Sequence, residues 1–214
     1  MNKGIKREVD ISQWNRAEHF NFFSTMDNPL YGICLEVDAT LAFKRCKNQK
    51  ISFFLFYMHA MGKALQEVES FRYRIEDGKL FCYDFVELGS TIGREDETFG
   101  FALLRYNENF DVFCADASKE IEQVNATPGI CLDANHEMNN VVFCSTIPWL
   151  RFTGLTHAMN HDPKDSVPRI TFGKCSKDGD SFKLPVAIYV HHALVDAIHI
   201  GKLVDRFQHY LDCP

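Results

Sequence analysis

Helix-period and strand-type segments alternate along this whole chain, with no internal repeat, no low-complexity stretch and no Pro/Gly/Ser-rich linker to separate them. That order confines the chain to a mixed α/β architecture, because a strand face and a helix stripe must each be buried against another layer. Residues 13–23, QWNRAEHFNFF, are expected to open with a short helix before Pro29 interrupts it, and LYGICLEVDA, residues 30–39, reads as a strand. Apolar residues recur at three- and four-residue steps from Thr40 to Lys47 and from Ser52 to Val68, which predicts two helices, the second behind a Ser cap. Between Arg72 and Phe85 two β-prone runs bracket Asp77-Gly78, a hairpin signature. Strands are expected at 86–92, 98–105, 140–146, 168–175 and 181–190, and helices at about 111–125 and in DAIHIGKLVDRFQHYL, residues 196–211. The expected fold is an α/β two-layer sandwich, a mixed β-sheet covered by helices, with residues 1–214 forming one domain.

Charge and cysteine usage narrow the partners. The formal net charge of -6 is spread without long runs, and the 23 Lys and Arg form no basic stripe, so nucleic acid is not expected. No apolar run approaches the roughly 20 residues that span a bilayer, and MNKGIKREVD lacks the apolar centre of a signal peptide, so a cytoplasmic protein without a membrane partner is expected. Eight Cys lie scattered without a Cys-x-x-Cys pair, and are read as reduced, mostly buried thiols. The histidines 59, 136, 157, 161, 199 and 209 are too widely spaced for a metal site, and no metal is expected.

The segment PVAIYVHHALVDAIHIGKLVDRFQ, residues 185–208, runs an apolar strand into two histidines just before a helix. A neutral imidazole at such a strand end can take a proton from a hydroxyl or thiol, since its ordinary pKa lies near neutrality. Asp196 follows His192 by four residues. If those residues led straight into the helix the carboxylate would reach the imidazole; if a turn intervenes, it would anchor the loop through an arginine.

His192-x-x-x-Asp196 after an apolar strand is similar to the His-x-x-x-Asp-Gly motif of chloramphenicol acetyltransferases, of the catalytic domains of dihydrolipoyl acyltransferases and of related coenzyme A acyltransferases. Trp14-Asn15-Arg16-Ala17-Glu18-His19-Phe20-x-Phe22-Phe23 is similar to the family's Trp-x-Arg-Arg-Glu-His-Phe-x-Phe-Tyr. Glu97-Thr98-Phe99 resembles its Glu-Thr-Phe, and Ser145-Thr146-Ile147-Pro148-Trp149-Leu150-Arg151-Phe152 its Ser-x-x-Pro-Trp-x-x-Phe. The matches span residues 14–208, and the N-terminal and Ser-x-x-Pro-Trp segments favour the small chloramphenicol acetyltransferases over the multidomain dihydrolipoyl type.

The resemblance implies acetyl transfer from acetyl-CoA, a co-substrate, to a hydroxyl of a small aromatic acceptor such as chloramphenicol, in a ternary complex with no acyl-enzyme and no tightly bound cofactor. His192 would be the general base, its second ring nitrogen held by its own carbonyl. Ser145 would donate to the oxyanion and Thr171 would hold a water against it. A bidentate Arg16–Asp196 pair would brace the histidine loop, and Trp149 would line the coenzyme tunnel. Phe22, Phe23, Tyr31, Phe99, Phe101, Leu132, Phe143, His157 and Arg169 would form the acceptor pocket. Family members are trimers with intersubunit sites, which implies a homotrimer with His192 from one chain and pocket residues such as Phe23 from the next.

Four positions depart from the family pattern. Ala197 replaces the motif Gly, Phe23 replaces a Tyr hydroxyl, and His157 with Arg169 stand where drug-binding relatives carry apolar residues, which implies a cationic, more polar pocket. A different alcohol or amine acceptor, or a non-catalytic ligand-binding relative of the fold, are the readings that compete on the same residues.

Overall fold

The strand segments pair into two separate sheets in a computed structural model, which describes residues 4–132, 138–159, 162 and 165–213. His136 and His161 lie outside the described residues. The smaller sheet joins β1 (Lys6–Glu8), β3 (Tyr73–Glu76) and β4 (Lys79–Tyr83) in the order β1-β4-β3. Its hairpin turns at Asp77 and Gly78, whose φ of 50° and 76° both lie in the left-handed region that such a two-residue turn needs. The larger sheet takes β2 (Leu30–Asp38), β5 (Glu87–Gly93), β6 (Phe99–Leu104), β7 (Val141–Thr146), β8 (Arg169–Phe172), β9 (Ser176–Asp178) and β10 (Ser181–His191). Its order is β2-β10-β8-β7-β5-β6, with β9 beside the start of β10. The β5–β7 and β7–β8 pairs are parallel and the others antiparallel, so the sheet is mixed.

The helices are α1 (Ala17–Phe23), α2 (Thr40–Gln49), α3 (Phe53–Glu67), α4 (Phe110–Ala126) and α5 (Ala197–Asp212). Leu184, Val186, Ile188 and Val190 of β10 share the main core with Met61 and Leu65 of α3 and Leu203 and Phe207 of α5. Because side chains alternate along a strand, Ala187, Tyr189 and His191 project from the opposite face. Helices therefore cover one face of the large sheet, the expected two-layer α/β sandwich. Among the described residues no helix is long and apolar enough to cross a membrane.

The structure differs from the sequence reading in detail. The hairpin forms its own sheet with β1, whose Lys-Arg-Glu sequence carries no apolar signal and which is held by backbone pairing and by the Lys79–Glu8 ion pair of 3.0 Å. Arg74, fully buried, ties that sheet to the large one by donating to the carbonyls of Asn139, Phe71, Tyr73 and Val141 at 2.6–2.9 Å, and burial pushes its pKa down to about 10. A 3-10 turn, Ile11–Gln13, precedes α1, and the strand expected to reach residue 175 stops at Phe172. All eight cysteines are unpaired thiols, but only Cys46, Cys82 and Cys144 are buried, while Cys34, Cys114, Cys131 and Cys175 are half-buried and Cys213 is exposed.

Candidate active site

His192 follows β10, the strand next to the sheet's β2 edge, where its backbone N–H donates to the Pro29 carbonyl at 2.9 Å and so joins the start of β2. The ring stacks on Phe23 with centroids 3.9 Å apart and planes 9° from parallel, and lies 4.3 Å from Tyr31 at 32°. Two rings that close and that nearly parallel cannot share one face, so Phe23 and Tyr31 grip the imidazole from both sides. Phe22 packs edge-on against Phe23 and stays largely exposed. Burial pushes the Tyr31 phenol up to about 12, and its hydroxyl has no hydrogen-bond partner among the described residues.

A turn does intervene between His192 and the helix, and Asp196 caps α5 instead of touching the imidazole. Its Oδ1 accepts from the Ala197 N–H at 2.6 Å, while the Asp196 N–H donates to His199 Nδ1 at 2.9 Å, a reciprocal capping box. Asp196 Oδ2 lies 3.6 Å from Arg16 Nη1, and Arg16 Nη2 donates to the His192 carbonyl at 3.2 Å. One guanidinium thus holds both ends of the turn. The Ala197 N–H first, and Arg16 after it, hold the Asp196 carboxyl below its usual range.

Ser145 and Thr171 sit side by side on β7 and β8, and Thr171 is level with Ala187 of β10. Among the described residues the Thr171 hydroxyl is buried without a partner, and the Ser145 hydroxyl makes no hydrogen bond. His192 lies five positions beyond Ala187, about 16 Å along the chain, and β7 lies two strands, about 10 Å, from β10. Phe143 shares the Ser145 face, and its ring fits there because Gly89 opposite has no Cβ, which would stand 2.9 Å from it. Phe99 and Phe101 meet edge-on on β6, and Leu132 is exposed in the segment beyond Ile130, whose carbonyl accepts from the Phe101 N–H. His157 stands edge-on to Tyr189 at 5.1 Å, on the same face.

A groove of about 970 Å³ opens where β5, β7 and β8 end, against the first turn of α3. Trp149, Phe53, Phe54 and Tyr57 line it, with Arg94 and Lys174 as its cations. Trp149 is 74% exposed, far more than a packed indole. The Tyr57 hydroxyl and Thr146 Oγ1 lie 3.0 Å apart, which fixes the phenol on the groove wall.

A family model described as chloramphenicol acetyltransferase matches residues 5–208. This chain belongs to the chloramphenicol acetyltransferase family. A chloramphenicol acetyltransferase of Escherichia coli is 30% identical over 205 residues, which is 95% of this chain and 93% of that protein. A solved chloramphenicol acetyltransferase superposes with a TM-score of 0.91 at 30% identity, covering 97% of this chain and all of the other. The dihydrolipoamide acetyltransferase of Azotobacter vinelandii shares the fold at a TM-score of 0.67 and 17% identity, over 92% of this chain and 86% of that one.

Several details differ from what the family resemblance implied. Phe23 stacks on its own chain's His192, because α1 ends beside the start of β2 and β2 pairs with the end of β10. His192 Nδ1 is buried without a partner among the described residues, and the carbonyl expected to hold it accepts from Arg16. The Arg16–Asp196 pair is a single contact, since the second carboxylate oxygen caps the helix. Ala197 begins α5 as an ordinary exposed helical residue, so nothing local demands the family's Gly. Nor is the His157–Arg169 corner cationic. Asp165 answers Arg169 at 2.5 Å, while burial and that arginine lower the His157 pKa and keep the ring neutral. Sequence reasoning missed Tyr57 and His199. Tyr57 lies four residues after Phe53 on one helix face, an aromatic pair with a polar tip that could have flagged the groove.

Proposed function

We propose that this family member moves acetyl from acetyl-CoA to a hydroxyl of a small aromatic acceptor, chloramphenicol being the first to test, in cytoplasmic homotrimers whose sites form between chains. The separation of His192 from Ser145 within one chain carries the reading. A reacting carbonyl needs its base and its oxyanion donor within hydrogen-bond reach of the same few atoms. A second copy that brings its Ser145 face to the His192 end of the first joins them. Largely exposed Phe22 beside His192, and Phe99 at 47% exposure on the serine side, give the two ends apolar surface to bury against a neighbour.

In the joined site His192 Nε2, the nitrogen opposite the buried Nδ1, takes the acceptor's hydroxyl proton as the oxygen attacks the thioester carbonyl. Negative charge moves to the carbonyl oxygen, where the unengaged Ser145 hydroxyl donates and Thr171 holds a water. The C–S bond then breaks, the sulfur takes the proton from the imidazolium, and an acetyl ester and free coenzyme A leave. No acyl-enzyme forms. The aromatic groove with Trp149, Lys174 and Arg94 suits the long, part-apolar, phosphorylated coenzyme, bound as a co-substrate.

Complementation tests the reading. His192→Ala and Ser145→Ala are each expected to lose turnover, and their co-expressed mixture to regain about a quarter of wild-type activity, from the interfaces that pair an intact histidine with an intact serine. A mixture as inactive as its parents rejects the shared site. The neutral but polar His157–Arg169–Asp165 corner and the hydroxyl-free Phe23 favour a second reading of the acceptor, as an alcohol more polar than chloramphenicol. Absence of turnover with chloramphenicol, in protein that releases thiol with another alcohol, selects it.

A further inference from the structure

Behind the histidine turn lies a cleft of about 550 Å³ between the 199/202/206 face of α5, residues 67–70 and the N-terminal Trp14-Asn15-Arg16. Two carboxylates line it, and both are already matched. Glu67 pairs with Arg206 at 3.1 Å and accepts from the Tyr210 hydroxyl; Glu69 pairs with Arg7 at 3.0 Å and accepts from the Tyr73 hydroxyl at 2.5 Å. Apart from Asn15, whose amide can donate or accept, the groups left over are donors. Lys202 has no ion-pair or hydrogen-bond partner among the described residues. Ser70, only 7% exposed, has a buried hydroxyl without a partner among the described residues, and Arg16 Nε is buried and equally unmatched there. His199 Nδ1 accepts from Asp196, which leaves its one proton on Nε2 as a further donor.

Buried donors without acceptors are costly, and natural structures seldom leave them so unless an unseen acceptor belongs there. A carbonyl-bearing ligand would offer one or two lone-pair directions; four donors from three segments suit the several oxygens of a phosphate group. We propose that this cleft binds a phosphate group, free or as the monoester of a small molecule, for whose remainder Trp14 and Tyr73 provide aromatic wall. The site lies apart from the groove proposed for the coenzyme, with no lining residue in common. Its link to the chemistry is Arg16, which lines the cleft and also holds the His192 carbonyl and Asp196.

Thermal unfolding of the purified protein with inorganic phosphate, against chloride at equal ionic strength, tests this. A saturable rise of about 4 °C is expected at ten times the dissociation constant. Lys202→Glu is expected to abolish it, and Lys202→Gln and Ser70→Ala to weaken apparent affinity about tenfold each. Lys202 is exposed on α5, so its variants are expected to fold, with circular dichroism as the check. Lys174→Glu, in the coenzyme groove, should leave the rise intact. Repeating the titration with glycerol 1-phosphate separates the two sources: tighter binding than phosphate assigns a monoester, equal or weaker binding the free ion. An unchanged rise in Lys202→Glu, loss of the rise only in Lys174→Glu, or no rise beyond the chloride control each overturn the site.

Discussion

At its histidine end the large sheet is braced by side chains. Two rings grip His192, Arg16 holds its carbonyl, and Asp196 divides its two oxygens between that arginine and the start of α5. At the serine end position comes from strand register alone, with Ser145 beside Thr171 and neither hydroxyl engaged by another described residue. The difference teaches how the labour would be divided in a shared site. A base must keep its orientation through a proton cycle, so its supports are built into its own chain; an oxyanion donor must be free until the tetrahedral intermediate forms, and a hydroxyl on a rigid strand meets that need with no support.

The largest effect that would break this comparison is at the base. His192→Ala is expected to lower kcat by at least about 10²–10⁴, the range for a general base, with helix content by circular dichroism unchanged. Turnover within tenfold of wild type would remove the histidine from the chemistry. Ser145→Ala comes next, with a fall of about 10²–10³ in kcat, little change in coenzyme KM and a Tm within about 1 °C of wild type, because the hydroxyl stabilises nothing in the resting chain. A Tm drop of several degrees would show instead that Ser145 is a structural residue.

Arg16 lies between these and the purely structural supports. Its side chain is 13% exposed and that of Asp196 is 37% exposed, so the pair is partly solvated, and Arg16→Gln should cost about 1–3 kcal/mol of stability. As a positioning residue it should also lower kcat about 10- to 100-fold while coenzyme KM holds, since the loop that carries His192 loses its clamp. Asp196→Asn sharpens the point. Asparagine caps a helix as well as aspartate does, so this variant removes the charge and keeps α5 started. If it matches Arg16→Gln in kcat, the ion pair is what positions the histidine; if it matches wild type, the donation from Arg16 to the carbonyl suffices alone.

The sequence made the strand-to-histidine junction, the Asp-Gly hairpin and the period of α3 and α5 legible, since each is a local pattern with a local cause. Side-chain economy was not legible. Nothing in His192-x-x-x-Asp196 says that one carboxylate oxygen serves the helix, or that His199 reaches back to complete the cap, because both depend on where the turn ends. The stacking of Phe23 on His192 needed the β2–β10 pairing, a contact between residues far apart in the chain. β1 was invisible for a different reason: three charged residues held by a partner's backbone leave no periodic trace.

The smallest expected effect probes that hidden cap. His199 Nδ1 can accept from the Asp196 N–H only while the ring is neutral, and burial, with Arg16 and Lys202 nearby, lowers its pKa. A group whose pKa is depressed on folding stabilises the fold fully above its unfolded value, about 6.5 for histidine, and that contribution is lost as pH falls through the folded value. His199→Ala should therefore cost about 0.5–1 kcal/mol at pH 8, a Tm drop of about 1–4 °C, and progressively less toward pH 5. The Asp196 carboxyl is also depressed, by the Ala197 N–H and Arg16, and so keeps its contribution until the pH falls below its usual range. Near pH 5 the two halves of the cap therefore separate: His199→Ala should approach wild type while Asp196→Ala remains destabilised. Melting curves for both variants from pH 8 to pH 5 would show it, and a His199→Ala penalty that does not shrink over that range would mean the imidazole supports α5 by packing and not by accepting that hydrogen bond.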